Sequence, residues 1–166
     1  LRKHNIRLYI TFVFGYDEDT ESSFRESVDF ALRHKFYIAA FNHLTPFPGT
    51  PLYRRLENEG RLLFDKWWLD EGYSYNMIPF RPAHMTPERL QRGCVEARAE
   101  FYNWANIWQR SFDPVNRSSL LMWWQFYGIN AMFRREVRSR DFYPLGDQSF
   151  NGNLLKVRER GAPLPG

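Results

Sequence analysis

Two stretches, 6–14 and 36–44, are apolar on both of their faces, and one helix-length segment separates them. In the first, Ile6, Leu8, Ile10, Phe12 and Phe14 alternate with Tyr9, Thr11 and Val13, so a strand here has no clearly polar side. Gly15 ends it. The acidic turn Asp17-Glu18-Asp19-Thr20 then offers N-cap residues for a helix running to about residue 35, with Phe24, Val28, Ala31 and Leu32 at helical spacing. Strand, helix, strand in this order is the parallel crossover unit. Strands apolar on both faces belong to a covered parallel sheet, and two of them do not make a stable sheet alone. The fold class is therefore α/β, and the economical reading is a C-terminal piece of a larger α/β protein.

After the second strand, Thr45-Pro46-Phe47-Pro48-Gly49-Thr50-Pro51 forms a rigid turn in which Thr50 caps, and Pro51 opens, a short helix stopped by Gly60. The span 61–82 is rich in Trp, Tyr and Pro without a period; it predicts an ordered connection with one edge strand near 73–78. Thr86-Pro87 restarts a helix in which Leu90, Cys94, Ala97, Phe101, Trp104 and Trp108 form a single apolar stripe. On that stripe Cys94 reads as a small buried hydrophobe rather than a nucleophile. A further helix is expected over 119–138, then a Pro- and Gly-punctuated tail from residue 143 lying over the surface.

Composition narrows the chemistry. A hydrophobic share of 43% with 25% charged residues excludes disorder, and an aromatic share of 18% demands rings that are buried or stacked. The single Cys94 excludes a disulfide framework, a cysteine-rich zinc site and an iron–sulfur cluster ligated by this chain alone. His4, His34, His43 and His84 have no metal-ligand spacing. No apolar signal segment opens the chain, so a cytoplasmic location is expected. The uncharged span 118–133 is shorter than the roughly 20 residues a spanning helix needs, so a soluble or interfacial helix is expected and no membrane span. The net charge of +4 arises wholly in 117–166, with eight Lys or Arg against four Asp or Glu. Its densest part, Arg134, Arg135, Arg138 and Arg140, reads as a solvated helix end complementing the macrodipole, and nucleic acid is not the expected partner.

In open or barrel sheets, ligands lie at the C-terminal ends of the strands, here 15–19 and 44–50. The stretch Thr11-Phe12-Val13-Phe14-Gly15-Tyr16-Asp17-Glu18 resembles the G-x-I-x-G-x-x-E stretch of radical S-adenosylmethionine (radical SAM) enzymes, with Thr11 in place of the first Gly. His43-Leu44-Thr45-Pro46-Phe47-Pro48-Gly49-Thr50-Pro51-Leu52-Tyr53, then Glu59-Gly60-Arg61, is similar to the L-T-P-x-P-G-T-x-L-Y...E-G-R pattern of the cobalamin-binding (B12) radical SAM enzymes, in the same order and separation. Thr86-Pro87-Glu88, the aromatic helices and Arg160-Gly161-Ala162-Pro163-Leu164 look like the C-terminal extension of that family.

The resemblance implies the last strand-helix units of a partial (β/α) barrel, the TIM-like radical SAM core, over 1–60. A connecting segment over 61–85, an aromatic-rich helical extension over 86–142 and an irregular tail over 143–166 follow. It implies an S-adenosylmethionine adenine resting near Thr11, Val13 and Gly15, with Glu18 shaping the turn and Leu44 and Pro46 bordering the pocket. Tyr16, His43, Trp67, Trp68 and Tyr75 are candidates to face a small-molecule or lipid-like substrate. The family's C-x-x-x-C-x-x-C loop is absent here. The 4Fe-4S cluster and cobalamin would thus be held by a missing N-terminal half of the same protein, and the chain alone is expected to be inert. The chemistry implied is radical chemistry under a substrate-covering helical cap, with cobalamin delivering a methyl group in many members. The alternative function is a non-enzymatic helical interaction module whose basic C-terminal patch binds nucleic acid or a protein partner.

Overall fold

A computed structural model describes residues 4–137. The tail from 143, the 160–164 pattern, Arg138 and Arg140 lie outside the described residues. The elements in chain order are β1 (Tyr9–Phe14), α1 (Glu21–Arg33), β2 (Ile38–His43), α2 (Pro51–Asn58), α3 (Pro87–Phe101), α4 (Trp104–Ser111) and α5 (Leu120–Glu136), with one 3-10 turn at Trp67–Leu69. The two strands pair in parallel, from Tyr9 opposite Ile38 to Phe14 opposite His43. The class is α/β as expected. Among the described residues the sheet has two strands and closes no barrel.

One face of the sheet makes the core. Ile10, Phe12, Phe14, Ala39 and Phe41 pack with residues of α1 and α3, including Val28, Leu90 and Phe101. The Phe41 ring stacks nearly parallel to those of Phe12 (centroids 5.1 Å, 11°) and Phe14 (6.5 Å, 6°). α3 approaches α1 closely because Gly93 has no side chain to meet the Phe24 ring beneath it. Cys94 is buried on this surface, where loss of water pushes its thiol up to about 12.

The other face corrects the expectation of a doubly covered strand. Tyr9 is 64% and Val13 38% exposed, and Thr11 is exposed between them. The helices pack on the opposite side, and the end of α5 approaches this one together with side chains reaching from α3: Phe133, Val137, Arg98 and Tyr102 share a cavity of about 150 Å³ with Tyr9, Ala40 and Asn42. The sheet edges differ as well. Since Leu8 and Phe14 accept from Ile38 and Leu44, the intervening Tyr9, Thr11 and Val13 backbone groups point away from β2, where no described strand pairs with them. The outer edge of β2 is instead closed by α3 side chains, with Arg98 Nε donating to the Phe41 carbonyl at 2.9 Å.

Three boundaries also differ from expectation. β1 starts at Tyr9 rather than residue 6, because Asn5 takes a left-handed turn (φ 55°) and Ile6 is left 44% exposed. No strand forms over 73–78, where Ser74 makes an isolated bridge; Asn76 turns the chain there (φ 73°), Tyr73 donates its hydroxyl to the Met77 carbonyl, and Leu62 and Phe80 form an antiparallel bridge. The stripe from Leu90 to Trp108 is not one helix. Asn103 accepts from the Asn106 N–H at 2.8 Å and starts α4, so Leu90, Cys94, Ala97 and Phe101 are buried while Trp104 and Trp108 are 54% and 56% exposed.

A buried arginine holds the helical half to the sheet. The guanidinium of Arg110 donates to the carbonyls of Phe36 (2.9 Å) and Phe101 (3.0 Å) and to Asn130 Oδ1 (3.0 Å), with its carbon 3.7 Å from the Phe101 ring centroid. These partners come from the α1–β2 junction, α3 and α5, so one side chain joins three parts of the molecule.

Candidate functional site

Both strands end at the same level, which brings the segments after Phe14 and His43 out side by side. The first is a tight turn. The Asp19 carboxylate accepts from the N–H groups of Gly15 (2.8 Å) and Tyr16 (2.9 Å), and so takes the turn-shaping role expected of Glu18, which is exposed. Gly15 has φ 109°, and a Cβ there would lie 2.9 Å from Leu90 Cδ2 and 3.1 Å from Phe80 Cζ. Backbone conformation and packing therefore already require glycine at this position. Asp17 accepts from Arg61 (2.9 Å) and Arg55 (2.8 Å), tying the turn to α2 and its exit. The Arg61 hydrogen bond, ahead of the nearby positive charges, holds its carboxyl below the ordinary carboxylate range.

The second segment is fixed by its own polar groups. Thr50 Oγ1 donates to the Phe47 carbonyl (2.7 Å) and accepts from Tyr53 N–H (3.2 Å), capping α2 with Pro51 in its first turn. Pro46 is buried, and its carbonyl accepts the Trp67 indole N–H at 3.0 Å. Trp67 in turn meets the rings of Phe47 (6.1 Å) and Tyr73 (5.1 Å). The long connection 61–82 is thereby folded back onto the strand ends.

Between these segments opens a cleft of about 630 Å³. Val13, Tyr16, His43, Leu44, Trp67 and Tyr75, all singled out from the sequence, line it. Thr11 lies farther down β1 on the same sheet face as Val13. Trp68 is not among the walls; its ring packs on Tyr53 (5.9 Å) and Trp67 (5.7 Å). The sequence reading missed Asn42, Phe47, Tyr73 and Asn76, which also line the cleft. Asn42 had a signal, as the one polar amide in an otherwise apolar strand; register sets it opposite Val13 on the open face.

His43 is the cleft's titratable group best placed for proton transfer. Its Nδ1 lies 3.1 Å from the Leu44 carbonyl, and burial holds its pKa below the ordinary 6.5, opposed by hydrogen bonds to Leu44 and Asn76. The ring is therefore neutral at pH 7. In the tautomer that donates Nδ1–H to Leu44, Nε2 keeps a lone pair able to accept a proton or a hydrogen bond. Burial pushes the Tyr73 hydroxyl up to about 12, which leaves it a donor. No three His, Cys, Asp or Glu among the described residues converge as a metal site. A larger groove, about 790 Å³, runs along α1 past Glu26, Asp29, Arg33 and Lys35. It is walled by solvated charges and lacks the convergent aromatic and amide groups of the cleft.

The segment that builds one wall of the cleft and the helices behind it, residues 50–135, matches the model of a family described as a domain of unknown function, DUF4070. The chain belongs to the DUF4070 family. The matched part of this DUF4070 protein runs from the Thr50 cap through most of α5. The chain is also similar to two methyltransferases of Chlorobaculum tepidum. The chain is 34% identical to bacteriochlorophyllide d C-12(1)-methyltransferase over 139 residues, 83% of this chain and 28% of that protein. It is 25% identical to bacteriochlorophyllide d C-8(2)-methyltransferase over 114 residues, 68% of this chain and 25% of that protein. The DUF4070 chain thus spans about a quarter of the length of these relatives. No solved structure matches it.

Proposed function

We propose that the chain is part of a radical S-adenosylmethionine methyltransferase, forming one side of the S-adenosylmethionine pocket and an aromatic cap toward the substrate. The observation that carries this reading is the open face of β1. Thr11 and Val13, the residues that resemble the family's adenine-binding stretch, stand uncovered beside a strand edge that no described strand pairs, and lead into the cleft at Asn42 and Leu44. Similarity to methyltransferases about three times as long supports the same view.

The residues present fit such a ligand. Val13 and Leu44 offer apolar contact for a ring face, the free backbone groups of Thr11 and Val13 offer hydrogen bonds to its edge, and Asn42 adds a donor and an acceptor. S-adenosylmethionine, when bound, supplies the methyl group or the radical that starts its transfer. This chain's contribution is to orient that ligand on the sheet face and to exclude water from it with Tyr16, Phe47 and Tyr75. The further strands of a (β/α) barrel would add to the free edge of β1. The described residues do not fit a 4Fe-4S cluster, since Cys94 is alone, buried and held protonated, so cluster ligands would come from other parts of the protein. The chain alone is accordingly inert.

The test is equilibrium dialysis of labelled S-adenosylmethionine with the anaerobically reconstituted full-length protein. Val13→Trp, at an exposed position, fills the open face and is expected to weaken binding on the order of tenfold or more, as loss of 1.4 kcal/mol would. Trp68→Phe, outside the cleft, leaves binding unchanged. Equal affinity of Val13→Trp and wild type would overturn the assignment.

A further inference from the structure

The α4–α5 pair carries a second surface that the proposed pocket does not use. α5 is apolar on two sides: Phe126 and Asn130 are fully buried, while Leu121, Trp124 and Met132, together on its opposite face, are 64%, 66% and 51% exposed. A helix that is apolar all round calls for a second apolar environment. α4 and its cap widen the same surface, since Trp104, Trp108 and Phe112 recur every fourth residue and are all exposed. The two rows are neighbours, with Trp108 6.4 Å from Tyr127 and the Arg134 guanidinium 5.5 Å from the Trp104 ring.

The charge on this surface has one sign. From 101 to the end of α5 the acids are Asp113, which is 3% exposed, and Glu136, half-buried in the cavity beside Tyr9, whereas Arg117, Arg134 and Arg135 are exposed. Exposed Trp and Leu beside cations, with no exposed carboxylate, complement an anionic headgroup layer over an acyl boundary. No described helix is long and apolar enough to cross a membrane, so the pair would lie in the plane of the surface.

We propose that the outer face of the α4–α5 pair docks on an anionic lipid bilayer, with Trp108, Leu121 and Trp124 entering the acyl boundary and Arg117, Arg134 and Arg135 meeting the headgroups. The test is cosedimentation of the full-length protein with vesicles of phosphatidylcholine alone or mixed equally with phosphatidylglycerol. Binding to the anionic vesicles is expected to be stronger on the order of tenfold or more. The double variant Leu121→Glu, Trp124→Glu, at two exposed positions, is expected to lose that binding on the order of tenfold with an unchanged melting temperature. A second readout is independent of any variant: acyl-brominated phosphatidylglycerol is expected to quench the wild-type tryptophan fluorescence. Sedimentation with neither vesicle, equal binding by the variant, or absence of quenching overturns the proposal. So does a variant that changes wild-type dimers into monomers where the wild type binds no lipid, since the face would then belong to a second copy.

Discussion

The Tyr102 hydroxyl stands where a neighbouring strand would, donating to the Ala39 carbonyl at 2.8 Å and accepting the N–H of the same residue at 3.2 Å. Both groups lie on the outer edge of β2, so α3 ends the sheet on that side and leaves the edge of β1 as the place where strands can add. Burial pushes the hydroxyl up to about 12 and keeps it a donor throughout the neutral range. Tyr102→Phe preserves the ring contacts with Phe101 and Phe133 but strands two buried backbone groups. The expected loss is about 1–3 kcal/mol, read as a lower urea midpoint for the full-length protein. An unchanged midpoint would mean that water replaces the hydroxyl.

Gly93 is the reverse of what helix propensity recommends. Alanine in a helix interior is ordinarily favoured over glycine by about 1 kcal/mol. At Gly93, however, a Cβ would lie 2.4 Å from Phe24 Cζ, whereas at Gly128 it would meet nothing within 4 Å. Gly93→Ala is expected to destabilise by about 1–3 kcal/mol through overpacking. Gly128→Ala is expected to stabilise by up to about 1 kcal/mol. Thermal melts of the two variants should therefore move in opposite directions.

The local signals were legible where the physics is local. Thr50 with Pro51, Thr86 with Pro87 and Ser119 each cap the helix the sequence predicts, and Cys94 lies buried on its stripe. Alternation in β1 told which residues favour burial, but it carries no information on whether the cover belongs to this chain, so the bare face of Tyr9, Thr11 and Val13 was not foreseen. The stripe through Trp104 and Trp108 overrode a cap signal already present in Asn103. Asn42 became visible only through the pairing register, which sets it beside Val13. Arg110 was illegible for a deeper reason. Its burial is tolerable only because carbonyls from separate elements converge on it, and such convergence leaves no trace in sequence spacing.

His43 gives the molecule a pH dependence. Burial depresses its folded pKa below 6.5, so between the two values the unfolded chain binds a proton that the folded chain does not. Stability is then complete above about pH 6.5 and falls as pH drops toward the folded value. The urea midpoint is expected to decline as pH falls below about 6.5, and His43→Gln is expected to reduce that slope. Asp17 adds a separate loss only at lower pH, since its depressed carboxyl withdraws stability below its ordinary 3.8. NMR titration of the His43 ring protons measures the shift directly; a midpoint at or above 6.5 would contradict it.

Arg110 and Asn130 should behave as a coupled pair. Asn130 Oδ1 accepts from Arg110 at 3.0 Å, while its Nδ2 donates to the Phe126 carbonyl at 2.8 Å, so one amide bridges the cation to α5. Burial lowers the Arg110 pKa to about 9, still above neutrality, so the contact is charge-assisted at pH 7. Arg110→Met fills much of the volume but leaves the Phe36 and Phe101 carbonyls without their donor. The expected cost is about 3–5 kcal/mol, near that of breaking a buried charged pair. Asn130→Ala alone is expected to cost about 1–3 kcal/mol, through the acceptor that the buried cation loses. The double variant should then cost less than the two losses added, by about 0.5–3 kcal/mol, because the second substitution removes a contact the first has already broken. Strict additivity in denaturant unfolding would mean that the Arg110–Asn130 contact contributes nothing of its own, and that Arg110 is held by its backbone carbonyls and the Phe101 ring alone.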